Sequence, residues 1–150
     1  VVGYVGRKAT YKVGLIPRIV SLLPPYYRFK FAGGNLDDDQ LCDFYNSCHL
    51  ILVPSPPYAE GFSLVTVEAL ACGTPVVATD SPAIREAVND YAFYSEYKVE
   101  GLVEKIKWII ENYEDAKRKA LEGRKYVEKN LNWDKTAAMN LKLYKELLQT

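Results

Sequence analysis

Glu60-Gly61-Phe62-Ser63-Leu64-Val65-Thr66-Val67-Glu68-Ala69-Leu70-Ala71-Cys72-Gly73-Thr74-Pro75-Val76-Val77-Ala78 reads as a turn, a helix, a tight stop and a buried strand. Gly61 and Ser63 mark the turn, residues 63–72 form the helix, and Gly73-Thr74-Pro75 ends it before a strand over 75–79. One Glu stands at the mouth of the turn and a second lies inside the helix. A helix start presents unpaired backbone N–H groups and the positive end of a dipole, a setting that suits phosphate. Carboxylates beside it accept hydrogen bonds from several hydroxyls at once, which suits sugars and ribose. Together the residues outline a site for a phosphorylated polyol of the nucleotide-sugar kind.

On either side the same alternation continues. Strands are expected over 1–5, 27–32 and 49–53, with an edge strand over 91–95. Helices are expected over 14–23, with Pro17 in the first turn, over 37–47, with aspartates at its start, and over 83–88. From Val99 the chain turns helical. Leu102, Val103, Ile106, Ile109, Ile110 and Tyr113 make one apolar stripe, and residues 114–129 form a mostly charged helix. Asn132 caps a last helix over 134–148, on which Ala137, Leu141, Tyr144, Leu147 and Leu148 share a face. Strands alternating with helices predict an α/β fold, Rossmann-like and doubly wound, with a mostly parallel sheet and sites at the carboxyl ends of its strands. Gly6-Arg7, Gly33-Gly34-Asn35 and residues 60–63 all fall at such ends.

Composition bounds the function classes. The chain has 150 residues, 49% of them hydrophobic and 25% charged, as in one ordinary globular domain. Lys plus Arg and Asp plus Glu are equal at 19 each, so nothing global favours nucleic acid or an anionic membrane. No apolar run reaches the length of a membrane span, and no signal peptide is expected. The start at Val1-Val2-Gly3, without an initiator Met, fits part of a longer protein. Cys42, Cys48 and Cys72 have no metal-ligand spacing and His49 is the sole histidine. We therefore expect no zinc site, and reduced thiols in a cytoplasmic setting. Asp37-Asp38-Asp39 reads as a charge cluster at a helix start rather than a metal motif. Glu68 lies among Val65, Val67, Ala69 and Leu70 on a largely buried helix, so a ligand or a positive partner is expected for it. Ser63 is expected to cap the helix.

The 60–78 run resembles the signature of retaining, nucleotide-sugar-dependent glycosyltransferases of the two-domain GT-B fold, the group of glycogen synthases, sucrose-forming enzymes and α-mannosyltransferases. Gly6-Arg7 with Lys12, and Asp38-Asp39-Gln40-Leu41 through Phe44-Tyr45 to Pro54-Ser55, resemble further segments of that group. Trp133, before the last helix, also has its counterpart there. The resemblance covers nearly the whole chain but only the C-terminal, donor-binding half of such an enzyme. It implies that Arg7 and Lys12 grip the donor diphosphate, and that Glu60 faces the hydroxyls of the transferred sugar. The amides of Gly61, Phe62, Ser63 and Leu64 would meet sugar and phosphate oxygens, and Glu68 the ribose hydroxyls. No metal or other cofactor is implied. The acceptor, a glycan, a lipid or a small molecule, would be held by the N-terminal half. The last helix would reach toward that half, and its bare apolar face would favour self-association. Attachment at a membrane periphery would likewise come through that half.

Two departures stand out. The group has a further helix and strand between positions matching Gly34 and Asp37, a segment that helps hold the nucleobase, and the loop 55–60 is longer and stiffened by Pro56-Pro57. Three alternatives remain beside the transferase reading. One is a non-catalytic binding or scaffold module, and another a sugar-nucleotide epimerase of the same fold. The third, a dinucleotide-dependent oxidoreductase, is disfavoured because Gly3-Tyr4-Val5-Gly6 lacks the Gly-x-Gly-x-x-Gly spacing.

Overall fold

The structure is a computed structural model, and it describes residues 1–6 and 14–149. Its centre is two strands that are apolar but for Thr79 at the end of the second. β3 (Leu50–Val53, LILV) and β4 (Val76–Thr79, VVAT) are buried at every position. Such unbroken runs belong to parallel strands covered on both faces. Strand β1 (Val2–Val5), β2 (Phe29–Ala32) and β5 (Phe93–Ser95) complete a five-stranded sheet in the order β2-β1-β3-β4-β5. All four pairings are parallel, with Val2 opposite Phe29, Ile51 opposite Val76 and Thr79 opposite Ser95.

Period-two alternation sends side chains into two separate cores. Leu50, Leu52 and Val77 join Val2 and Ile19 under helices α1 (Ile16–Leu22) and α5 (Val99–Glu111). Ile51, Val53, Val76 and Ala78 pack on the opposite face. There they meet α2 (Asp38–Asn46), α3 (Leu64–Ala71), α4 (Pro82–Val88) and α6 (Tyr113–Asn130) through Tyr45, Leu70, Ile84 and Ala120. The chain steps outward from β1 to β2, then crosses back over β1 to β3. That reversal places helices on both faces and opens a crevice at the carboxyl ends of β1 and β3.

Local chemistry fixes the elements. Asp37 and Gln40 make a reciprocal capping box: Gln40 N–H donates to Asp37 Oδ1 at 2.8 Å, and Asp37 N–H donates to Gln40 Oε1 at 3.2 Å. Helix α3 ends at Gly73, whose φ of 67° is the left-handed conformation that favours glycine. Gly73 N–H donates to Leu70 O and Thr74 N–H to Ala69 O, the paired closure of a Schellman stop. Gly123 lets α6 approach α3, since a Cβ there would stand 2.9 Å from Tyr91 and 3.1 Å from Leu70.

Several sequence expectations are shifted. Helix α1 begins only at Ile16, and the strand expected from Tyr27 begins at Phe29, because residues 25–26 turn first. The edge strand is shortened by a 3-10 turn over Asn89–Tyr91. Between Gly33 and Asp37 there is neither helix nor strand, so β2 runs directly into α2 and forms the sheet edge. Helix α7 (Trp133–Leu147) is capped as expected, with Lys135 N–H donating to Asn132 Oδ1 at 2.9 Å, but none of its residues is buried. Among the described residues, no helix is long and apolar enough to cross a membrane.

Candidate functional site

The connection from β3 to α3 carries most of the sequence-predicted site. Pro54 and Ser55 leave the strand buried, Tyr58 stands out at the tip, and the chain returns through Glu60 to Ser63. Ser55 Oγ donates to Glu60 Oε1 at 2.6 Å, and Ser55 is only 4% exposed. A buried hydroxyl thus closes the Pro-rich loop and fixes one oxygen of the first carboxylate. Gly61, Phe62 and Leu64 are exposed and Ser63 is buried.

Ser63 does hold the N-cap position, but its side chain makes no capping bond. Its hydroxyl instead shares a 2.7 Å hydrogen bond with Thr66 Oγ1, a fully buried group. Two buried hydroxyls satisfy one another more readily than one hydroxyl can serve both Thr66 and the backbone. The Ser63 side chain therefore leaves the first-turn amides of α3 uncapped, the condition in which a helix start accepts an anion.

Glu68 lies one turn into α3 and is half-buried. Among the described residues its partner is a neutral hydroxyl rather than a cation. Tyr45 Oη donates to Glu68 Oε2 at 2.7 Å. Tyr45 projects from α2 and is 1% exposed. Its hydroxyl stays protonated well above the usual tyrosine range, first because of burial and then because of the bond to Glu68. The bond engages one carboxylate oxygen and orients the group. Thr74 Oγ1, donating to Tyr45 O at 3.0 Å, ties the end of α3 to the same helix.

Between α2 and α3 runs a cavity of about 220 Å³, lined by Asp38, Leu41, Cys42, Tyr45, Glu68, Ala71 and Cys72. A larger cavity of about 610 Å³ lies at the carboxyl ends of β1 and β2, bounded by Tyr4, Gly6, Ile16, Pro17, Phe31, Ala32 and Gly33. Arg7 and Lys12, the expected diphosphate grip, lie outside the described residues. Among the described residues no group of three or more His, Cys, Asp or Glu side chains could hold a metal ion. At the end of β4, Arg85 forks onto Asp80 at 2.6 and 2.8 Å and covers the Tyr94 ring at 4.1 Å. That pairing holds the Asp80 carboxyl below its usual range and fixes the start of α4.

The structure therefore brings Glu60, Gly61, Phe62, Ser63, Leu64 and Glu68 together around the start of α3. It adds Ser55 and Tyr45, to which sequence reading gave no role. Both lie in the stretch from Asp38 to Ser55 that carries the family resemblance, but neither residue was given a role by it.

Comparison with known proteins follows the same residues. A profile of the family Glycosyl transferases group 1 matches residues 28–126. An uncharacterized glycosyltransferase of Methanocaldococcus jannaschii is 32% identical over 117 residues, covering 76% of this chain and 32% of that protein. The fold superposes on sucrose-phosphate synthase from Thermosynechococcus elongatus with a TM-score of 0.84 at 24% identity, over 99% of this chain and 45% of that one. HepE of Anabaena, solved in complex with UDP, gives a TM-score of 0.79 at 21% identity, over 99% and 48%. The chain thus spans about a third of the curated relative and just under half of the two solved proteins. By its matched profile, its relative and its sheet, the chain belongs to the group 1 family of glycosyl transferases.

Proposed function

We propose that this chain is the C-terminal, donor-binding half of a retaining glycosyltransferase. The enzyme would move a sugar from a nucleoside-diphosphate sugar to an acceptor hydroxyl with retention of anomeric configuration. One observation carries the reading: two carboxylates, each with one oxygen engaged by a buried hydroxyl, flank an uncapped helix start at the carboxyl end of the sheet. Glu60 would accept from hydroxyls of the transferred sugar and Glu68 from the ribose. The amides of Gly61, Phe62, Ser63 and Leu64 would face sugar and phosphate oxygens. The complexes of HepE with UDP and UDP-glucose support a donor of this class.

Catalysis would rest on stabilising charge as it develops on the departing diphosphate. Positive groups and fixed dipoles do this without a metal ion, the role given to Arg7, Lys12 and the start of α3. The acceptor would be held by an N-terminal half, toward which α7 extends its apolar face, with the reaction in the cytoplasm.

Isothermal titration of the chain with UDP, GDP and ADP tests the reading, with Glu68→Ala beside it. We expect one nucleotide to bind, and the substitution to weaken it by about thirtyfold, from about 2 kcal/mol for hydrogen bonds to a charged acceptor. The direct run of β2 into α2 favours one rival, a scaffold module that has lost its base-holding segment. Equal binding by the wild type and Glu68→Ala, or none by either, would turn the assignment toward that rival.

A further inference from the structure

Cys42 and Cys72 face one another across the groove between α2 and α3, their Sγ atoms 3.7 Å apart. Cys42 is exposed and Cys72 partly exposed, so both are within reach of a dissolved reagent. A disulfide needs about 2.05 Å, which leaves under about 2 Å for side-chain rotation and a small helix shift to close. Both cysteines line the same cavity as Tyr45 and Glu68. Cys42 lies one turn before Tyr45, and Cys72 one turn after Glu68. Burial pushes the Cys72 thiol up, and the Arg124 guanidinium on α6 offsets part of that push. Cys48 is not a competitor, being buried at the far end of α2 beside Gly3.

We propose that Cys42 and Cys72 form a reversible disulfide that staples α2 to α3, narrows the groove holding Glu68 and so weakens nucleotide binding. The loss of binding rests on the donor-site reading above; the cross-link does not. The oxidant is a low-molecular-weight disulfide such as oxidised glutathione. Burial pushes the Cys72 thiol up to about 11, so the exposed Cys42 attacks first. The Cys42 thiolate bonds to one glutathione sulfur and expels the other as a thiolate, which takes up a proton. Cys72, after losing its proton to water, attacks Cys42 Sγ and expels the second glutathione thiol. Two protein thiols are oxidised and one small disulfide is reduced to two thiols, a balanced two-electron exchange.

The test treats the chain with oxidised glutathione, then maps its peptides by mass and counts free thiols, before and after dithiothreitol. Expected is a single link joining the Cys42 and Cys72 peptides, Cys48 left free, and full reversal by dithiothreitol. UDP affinity, by titration of the same samples, should fall about tenfold on oxidation, the scale of losing one hydrogen bond to a charged acceptor. Cys42→Ser and Cys72→Ser should each prevent both the link and the loss. A stable glutathione adduct on Cys42 without a link would overturn the proposal. A link with unchanged affinity would overturn its effect on binding. If the reduced protein binds no nucleotide, the donor-site reading and the gating fall together, while the mass map still decides the link.

Discussion

Helices α3 and α7 reverse the usual relation between sequence pattern and burial. Helix α3 barely separates polar from apolar residues, yet its Thr66, Ala69 and Leu70 are buried completely. Helix α7 sorts Leu141, Tyr144 and Leu147 onto one side, yet each is at least 60% exposed apart from Leu141 at 54%. Amphipathic spacing says where an apolar stripe would face, and it does not supply the surface that covers it. Helix α3 is covered because the backbone around it fits: a left-handed glycine turns it off, Gly123 admits α6, and Lys117 donates to Gly73 O at 2.7 Å. A helix packed this closely can carry polar groups in fixed positions, and Thr66 and Glu68 are fixed there by Ser63 and Tyr45.

The contrast can be broken most forcefully at Leu70. Leu70→Ala should cost about 3 kcal/mol in urea denaturation, because its neighbours are fixed and the cavity cannot collapse. A loss below about 1 kcal/mol would mean that α3 is held less firmly than its burial implies. Next comes Gly73→Ala, expected to cost roughly 2 kcal/mol. It combines a left-handed φ with a Cβ placed 3.0 Å from Leu121 Cδ2, and thermal melting reads the result.

Tyr45→Phe sharpens the comparison at the site itself. It should cost about 1 kcal/mol and also weaken nucleotide binding by freeing Glu68. It should further alter the pH profile. The folded chain holds the Tyr45 proton more tightly than the unfolded chain does. Stability from this source is therefore complete below the ordinary tyrosine value of about 10, and declines as pH rises beyond it. The substitution should flatten that alkaline decline in part, since burial also raises Tyr94, to about 12. An unchanged slope would show that Tyr45 does not hold its proton in this way. At the small end, Leu141→Ala on α7 should lie within about 0.5 kcal/mol of the wild type. A larger loss would place a partner on that face.

Much of the fold was legible because its signals are local. The apolar runs of β3 and β4, the aspartate start of α2, the Asn132 cap and the Gly73 stop each depend on a few adjacent residues. The absence of a helix and strand after Gly34, which leaves β2 at the sheet edge, was legible only against the resemblance. What escaped the sequence depends on neighbours in space. Tyr45 meets Glu68 only because α2 and α3 lie side by side on one face of the sheet. Ser55 meets Glu60 only because the Pro-rich loop closes on itself. Ser63 stood at a position whose usual role is known, but Thr66 was near enough to take its hydroxyl. The exposure of α7 follows from the resemblance, whereas periodicity alone would bury that helix as it does α5.

Amide chemical-shift mapping of the chain during titration with UDP and UDP-glucose decides whether the start of α3, with its two pinned carboxylates, is the nucleotide-sugar site proposed above. The largest shifts should fall on Gly61, Phe62, Ser63, Leu64 and Glu68, with Tyr45 responding through its bond to Glu68. Shifts centred instead on a separate groove lined by Asn89, Tyr91, Arg118 and Glu122, with residues 60–68 unmoved, would overturn that assignment.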